Sequence, residues 1–207
     1  MTKTLWILIA VLVLFFGLAY SRKALGNSRL YKMLAMLKEG RYSEVEKLAT
    51  DTSSRLLLSP FSIQQVLLQK AILKKDTEDV NRIVGQMGKL KLNEQMKKEY
   101  YLEAFNYYVP VGENEKAKEC AAQIQKLNGF DDTKRVVSLI EDVVIEGNTD
   151  HLSDLIKQAE NADGIEKVGM EGLISKIYHQ LGDFKNEEKY TKKAQDDLKR
   201  IQDRKGA

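Results

Sequence analysis

The side chains best suited to proton transfer or nucleophilic attack near neutral pH are two histidines, His151 and His179, and one thiol, Cys120. They stand far apart and match no catalytic or metal-ligand spacing. His151 opens a predicted helix and reads as a solvated first-turn residue. His179 follows Tyr178 on a predicted helix face, where a groove contact is one of its readings. Cys120 lies on an alanine-rich stretch and reads as a small packing residue, the usual role of a free thiol. Gly85-Gln86-Met87-Gly88-Lys89 has the outline of a phosphate-binding loop, but Ile83 stands where the upstream glycine belongs and Leu90 replaces the magnesium-binding hydroxyl. It reads as a helix C-terminus. No β-strand pattern flanks it, as an RNA-clamping loop would need. The acidic pairs Asp131-Asp132, Glu187-Glu188 and Asp196-Asp197 read as caps or solvated faces. The expectation is a protein without enzymatic activity, cofactor or metal.

What must position such residues is mostly helix. The 207 residues contain two prolines and 13 glycines, too few for a turn-rich sandwich or a Pro/Gly-rich disordered chain. One cysteine excludes an intramolecular disulfide framework. A net charge of +3 is too small to make nucleic acid the expected partner.

From Thr4 to Ser21 there is no charge, and Leu5 to Ala19 is apolar throughout, with Gly17 its one small interruption. At about 1.5 Å per residue such a run crosses a bilayer core of about 30 Å with slight thinning. Residues 4–21 are therefore expected to be a transmembrane helix contacting the lipid bilayer, and residues 22–27 a basic juxtamembrane linker. Lys3 alone precedes the segment, whereas Arg22, Lys23, Arg29 and Lys32 follow it, so the C-terminal bulk should be cytoplasmic in a single-pass protein. The competing reading is a signal peptide cleaved after Ala19, which would release an extracytoplasmic assembly or chaperone-like factor. From Arg22 to Arg41 six basic residues face one acid, Glu39, a topology signal that anionic headgroups would also attract.

Beyond the apolar run, similar junctions recur at positions 40, 75, 112, 147 and 182, spaced 35, 37, 35 and 35 residues apart. Each has a helical apolar pattern, a polar or glycine-bearing turn, and then a second helical pattern. The copy at Gly112 is the clearest: Tyr101, Ala104, Phe105 and Tyr108 precede it at helical spacing, and Ala117, Ala121 and Ile124 follow. The fourth and fifth copies repeat the layout with Val136, Leu139, Ile140 and Val143 before Gly147 and Leu152, Ile156 and Ala159 after it, and with Ile174, Tyr178 and Leu181 before Gly182. Helices are predicted at 28–39, 43–54, 60–74, 77–88, 93–109, 114–127, 132–146, 149–160, 164–181 and 184–203. Ser43 to Glu46 and Asp163 to Glu166 have capping-box spacing, Ser59-Pro60 reads as an N-cap with proline at the first helical position, and Pro110 should end or kink its helix.

The period, the Leu181-Gly182-Asp183-Phe184 and Glu39-Gly40-Arg41-Tyr42 junctions, and the small residues Ala117, Ala121 and Ala194 carry a resemblance to the tetratricopeptide repeat family over residues 28–204. No copy has the family's tryptophan near the start of its first helix, Lys75 replaces a turn glycine, and Glu187 stands where the family usually has alanine. The resemblance implies an all-α fold, an α-solenoid of about five helical hairpins whose first helices line a concave surface. It implies an adaptor that holds a protein or peptide partner there. Transferring the phase puts Gln65, Gln69, Leu102, Asn106, Val137, Glu141, Lys176 and His179 in the groove. The lysines with which chaperone-binding relatives grip a terminal carboxylate are missing at the positions transferred in the second and third copies. The alternating charge from Lys185 to Lys205 reads as a solvated terminal helix.

Overall fold

A computed structural model describes residues 22–206; the expected membrane segment at 4–21 lies outside the described residues. The described chain is all-helical and has no strand. No helix in it is long and apolar enough to cross a membrane. Its elements are α1 (22–38), α2 (Tyr42–Thr50), α3 (Thr52–Leu57), α4 (Pro60–Leu73), α5 (Thr77–Met87), α6 (Glu94–Val111), α7 (Asn114–Gln125), α8 (Asp131–Ile140), α9 (Leu152–Asn161), α10 (Gly164–Gln180) and α11 (Phe184–Gly206). A π-helical segment, Glu141–Ile145, continues α8. Two compact units divide within α6, one ending at Tyr100 and the other beginning at Tyr101.

Each junction read from the sequence is a left-handed turn. Gly40, Gly112, Gly147 and Gly182 have φ of 72°, 78°, 75° and 72°, and Lys75, the non-glycine member, has φ of 55°. In four of the turns the next residue donates its N–H to a carbonyl five positions back: Arg41 to Met36 (2.9 Å), Asp76 to Ala71 (3.0 Å), Glu113 to Tyr108 (3.1 Å) and Asp183 to Tyr178 (2.9 Å). This is the Schellman closure that satisfies the last carbonyls of a helix. At Gly147 the wider π segment changes the count, and Asn148 donates to Asp142, six positions back, at 3.0 Å.

In the first unit, Met33, Met36 and Leu37 of α1 pack with Val45 and Ala49 of α2 and Val66 of α4. α4 also packs on α5, whose Val80, Ile83 and Met87 are buried. In the second unit, Ala104, Phe105 and Tyr108 of α6 and Ala117, Cys120, Ala121 and Ile124 of α7 are buried. Val143, Leu155, Ala159, Ile174, Ile177 and Tyr190 form a further core that joins the π segment, α9, α10 and α11.

Several local expectations are corrected. Residues 22–27 are helical, not a linker, and Gly26 is buried where a Cβ would lie 2.8 Å from the Leu57 carbonyl. The helix expected at 43–54 breaks at Asp51, whose ψ of 141° is extended and whose carboxylate is held by Arg29 of α1 at 2.8 Å. That contact arises only in the folded unit, so no local signal announces α3. Neither capping box forms: Arg41 is the N-cap of α2 and binds Glu39 and Glu44, while Glu46 is drawn to Lys70. Asp163 caps α10 without a side-chain bond. Ser59 does cap α4, its Oγ accepting from the Ser62 N–H at 3.0 Å with Pro60 following. Pro110 lies inside the last turn of α6, which ends at Val111. Val136 is exposed, and its neighbour Val137 takes the core position.

Candidate functional site

The chemistry-bearing residues are held in packing roles. Cys120 is buried in α7, and that burial, with the negative charge of Glu119 beside it, pushes its thiol up to about 12, which leaves it protonated and unreactive at neutral pH. His151 pairs through Nε2 with Asp142, which also accepts from the Asn148 amide, so it fastens the π segment to the start of α9 and is not free in solvent. His179 Nδ1 lies 3.1 Å from Glu187 Oε1, and its ring meets Phe184 edge to face. It therefore meets the second helix of its own hairpin. Glu187 fits at an alanine position because its side chain swings out to His179. Its carbonyl meanwhile accepts from Ser175 at 3.2 Å, keeping α10 and α11 close. Among the described residues no three His, Cys, Asp or Glu lie together so as to hold a metal ion.

The other groove positions fall on one recurring register of the first helices. Gln69, Asn106, Glu141 and Lys176 each lie six residues before a left-handed turn residue. In the first unit Gln69 is half-buried on α4, with Gln65 one turn earlier and also half-buried. In the second unit Asn106 on α6 and Lys176 on α10 are exposed, and Leu102, one turn before Asn106, is half-buried. Glu141, at the start of the π segment, is half-buried and close enough to Lys118 of α7 to add to its positive-state preference. The main partner of Lys118 is Glu146, at 2.7 Å, and it holds the ammonium above the usual lysine range. Val137 is the exception: it is fully buried and cannot receive a side chain from outside.

The π segment has its own support. Gln180 of α10 donates from Nε2 to the Val143 carbonyl at 2.8 Å, a tertiary bond to the segment where the α-helical pattern is interrupted. One open notch of about 190 Å³ occurs near the start of α10, lined by Asp163, Gly164, Lys167, Asp197, Arg200 and Arg204 among others. Lys167 and Arg200 both bind Asp197, at 2.8 and 2.9 Å, so two of its cations share one carboxylate. Lys167 above all holds the Asp197 carboxyl below the usual range.

In the second unit these positions offer an amide, a carboxylate, an ammonium and a leucine, which suits noncovalent recognition of a chain segment. Comparison with family models, curated proteins and solved structures gives no match.

Proposed function

We propose that the protein is a membrane-anchored adaptor of the tetratricopeptide type. Its hairpins are solenoid units that recognise a protein or peptide partner with their first helices, and its C-terminal domain is cytoplasmic. The observation that carries this reading is the set of left-handed turns at 40, 75, 112, 147 and 182, each joining two helices at the repeat's spacing. A period of that length marks units that bury their apolar faces on neighbours and leave an outer surface free for binding. The fold alone does not assign the partner. In the second unit Asn106, Glu141 and Lys176, with Leu102, are the residues that read it: the polar groups bond to an extended backbone and the leucine receives an apolar side chain. The uncharged run at 4–21 and the basic residues after it supply the anchor and its orientation.

Affinity capture from solubilised membranes tests the reading. A partner recovered with the wild-type chain should be lost, or reduced by an order of magnitude or more, when Leu102, Asn106 and Lys176 are changed to alanine, since truncating one contact hot spot costs about 2 kcal/mol or more. Recovery unaffected by all three changes, with helicity intact, would place the binding surface elsewhere.

A further inference from the structure

The short helix α3 is the element that the repeat pattern does not explain, and its surroundings are specific. Three residues on one face of α1, each a turn apart, meet the two ends of α3. Arg29 binds Asp51, the residue before α3, at 2.8 Å; Gly26 lies against the Leu57 carbonyl; and Arg22 Nη2 donates to the Leu56 carbonyl at 2.6 Å. α3 therefore runs antiparallel to α1, back toward Arg22. Its last carbonyls, which have no helical partner, are met by a cation. Arg22 stands three residues after Ala19, where the apolar run ends, so even fully extended chain puts it within about 10 Å of that end.

At this foot Leu25 and Leu56 are 59% and 63% exposed, a large exposure for two leucines held beside one another's helices. Arg22, Lys23 and Arg55 are exposed with them, and neither 22–28 nor 52–58 contains an acid. A cation-rimmed pair of exposed leucines suits the boundary between headgroups and acyl chains, where leucine is buried and Lys or Arg meets anionic phosphate.

We infer that α3 is a second membrane contact: Arg55 and Leu56, together with Arg22, Lys23 and Leu25, seat the foot of the helical domain on anionic lipid headgroups. The inference rests on retention of the anchor at 4–21. It gives α3 a purpose that the repeat does not, since a hairpin hung from a single helix can swing, whereas a foot on two helices sets its inclination to the bilayer.

The test uses the full chain with its one tryptophan removed, Trp6→Phe, and a new one introduced as Leu56→Trp. The chain is reconstituted in phosphatidylcholine vesicles with or without phosphatidylglycerol, their acyl chains brominated or not. Leu73→Trp, also exposed and at the far end of α4, about 20 Å beyond Pro60 at 1.5 Å per residue, is the reference. The expected result is flotation of the chain with the vesicles, loss of Leu56→Trp emission to bromine in the anionic vesicles, and no loss for Leu73→Trp. Adding Arg55→Glu should restore the lost emission without changing helicity. If the chain floats while the Leu56→Trp emission is untouched, the second contact is wrong and the anchor stands. Quenching that is equal in neutral vesicles and insensitive to Arg55→Glu would overturn the headgroup assignment. A chain that does not float would remove the anchor, and this inference with it.

Discussion

Lys75 and Gly112 hold the same left-handed backbone conformation, with φ of 55° and 78°, at equivalent points of two hairpins. A side chain with a Cβ is strained there by roughly 1–2 kcal/mol, and glycine is not. Lys75→Gly is accordingly expected to raise the unfolding free energy by about 0.5–1 kcal/mol, the strain relief being partly offset by the freer unfolded chain. Gly112→Val should lower it. Denaturant midpoints measure both, and a destabilised Lys75→Gly variant would contradict the turn assignment.

Ala117 is fully buried and Glu115 is exposed on the same helix. Ala117→Leu should cost about 1–3 kcal/mol through overpacking, whereas Glu115→Leu should stay within about 0.5 kcal/mol. Thermal melts distinguish them; equal losses would mean that α7 packs through a different face.

Glu171 on α10 is 2% exposed, and its Oε2 has no hydrogen-bond partner. Burial, reinforced by the charge of Asp197, raises its carboxyl above the ordinary range. A raised acid favours the fold when protonated, so its contribution is complete below the unfolded value, near pH 4, and is lost as pH rises through the folded value. Glu171→Gln should therefore gain stability relative to wild type as pH goes from about 4 to 7. A difference in melting temperature that is constant with pH would contradict this.

Lys70 is a buried cation between Glu46 at 3.0 Å and Asp79 at 3.4 Å. Burial of Asp79 opposes its charge, but Arg82 and Lys70 outweigh it and hold the carboxyl below the usual range. Lys70→Ala should destabilise the protein by about 1–3 kcal/mol, less than for a wholly buried pair because Glu46 remains in water. A depressed carboxyl adds stability above the unfolded value and loses it as pH falls through the folded one. Asp79→Asn should thus narrow the gap between stability at neutral pH and in acid. Urea titrations across that range report it.

Turns and helix pairs were legible in the chain because they depend on short spacing: the left-handed residue, the Schellman closure and the 3.6-residue period all lie within one hairpin. Ala104, Phe105, Ala117 and Ile124 fell on the buried face for that reason. What escaped depends on distant groups. α3 exists because Arg29 captures Asp51 and Gly26 admits the Leu57 carbonyl. The Ser43 to Glu46 capping box lost Glu46 to Lys70 on α4. Of the expected groove residues, Gln69, Asn106, Glu141 and Lys176 share one position six residues before a turn, whereas Val137 lies in the core. His179 turned to Glu187, a pairing that spacing along one helix does not reveal.

The adaptor reading is tested most directly by site-specific photocrosslinking in intact membranes, with the photoreactive residue placed at Asn106 on α6 or at Ala122 on α7, both exposed. The account predicts a discrete crosslinked partner from Asn106 and none from Ala122. Crosslinks confined to Ala122, or of equal yield from both, would contradict recognition by the first helices.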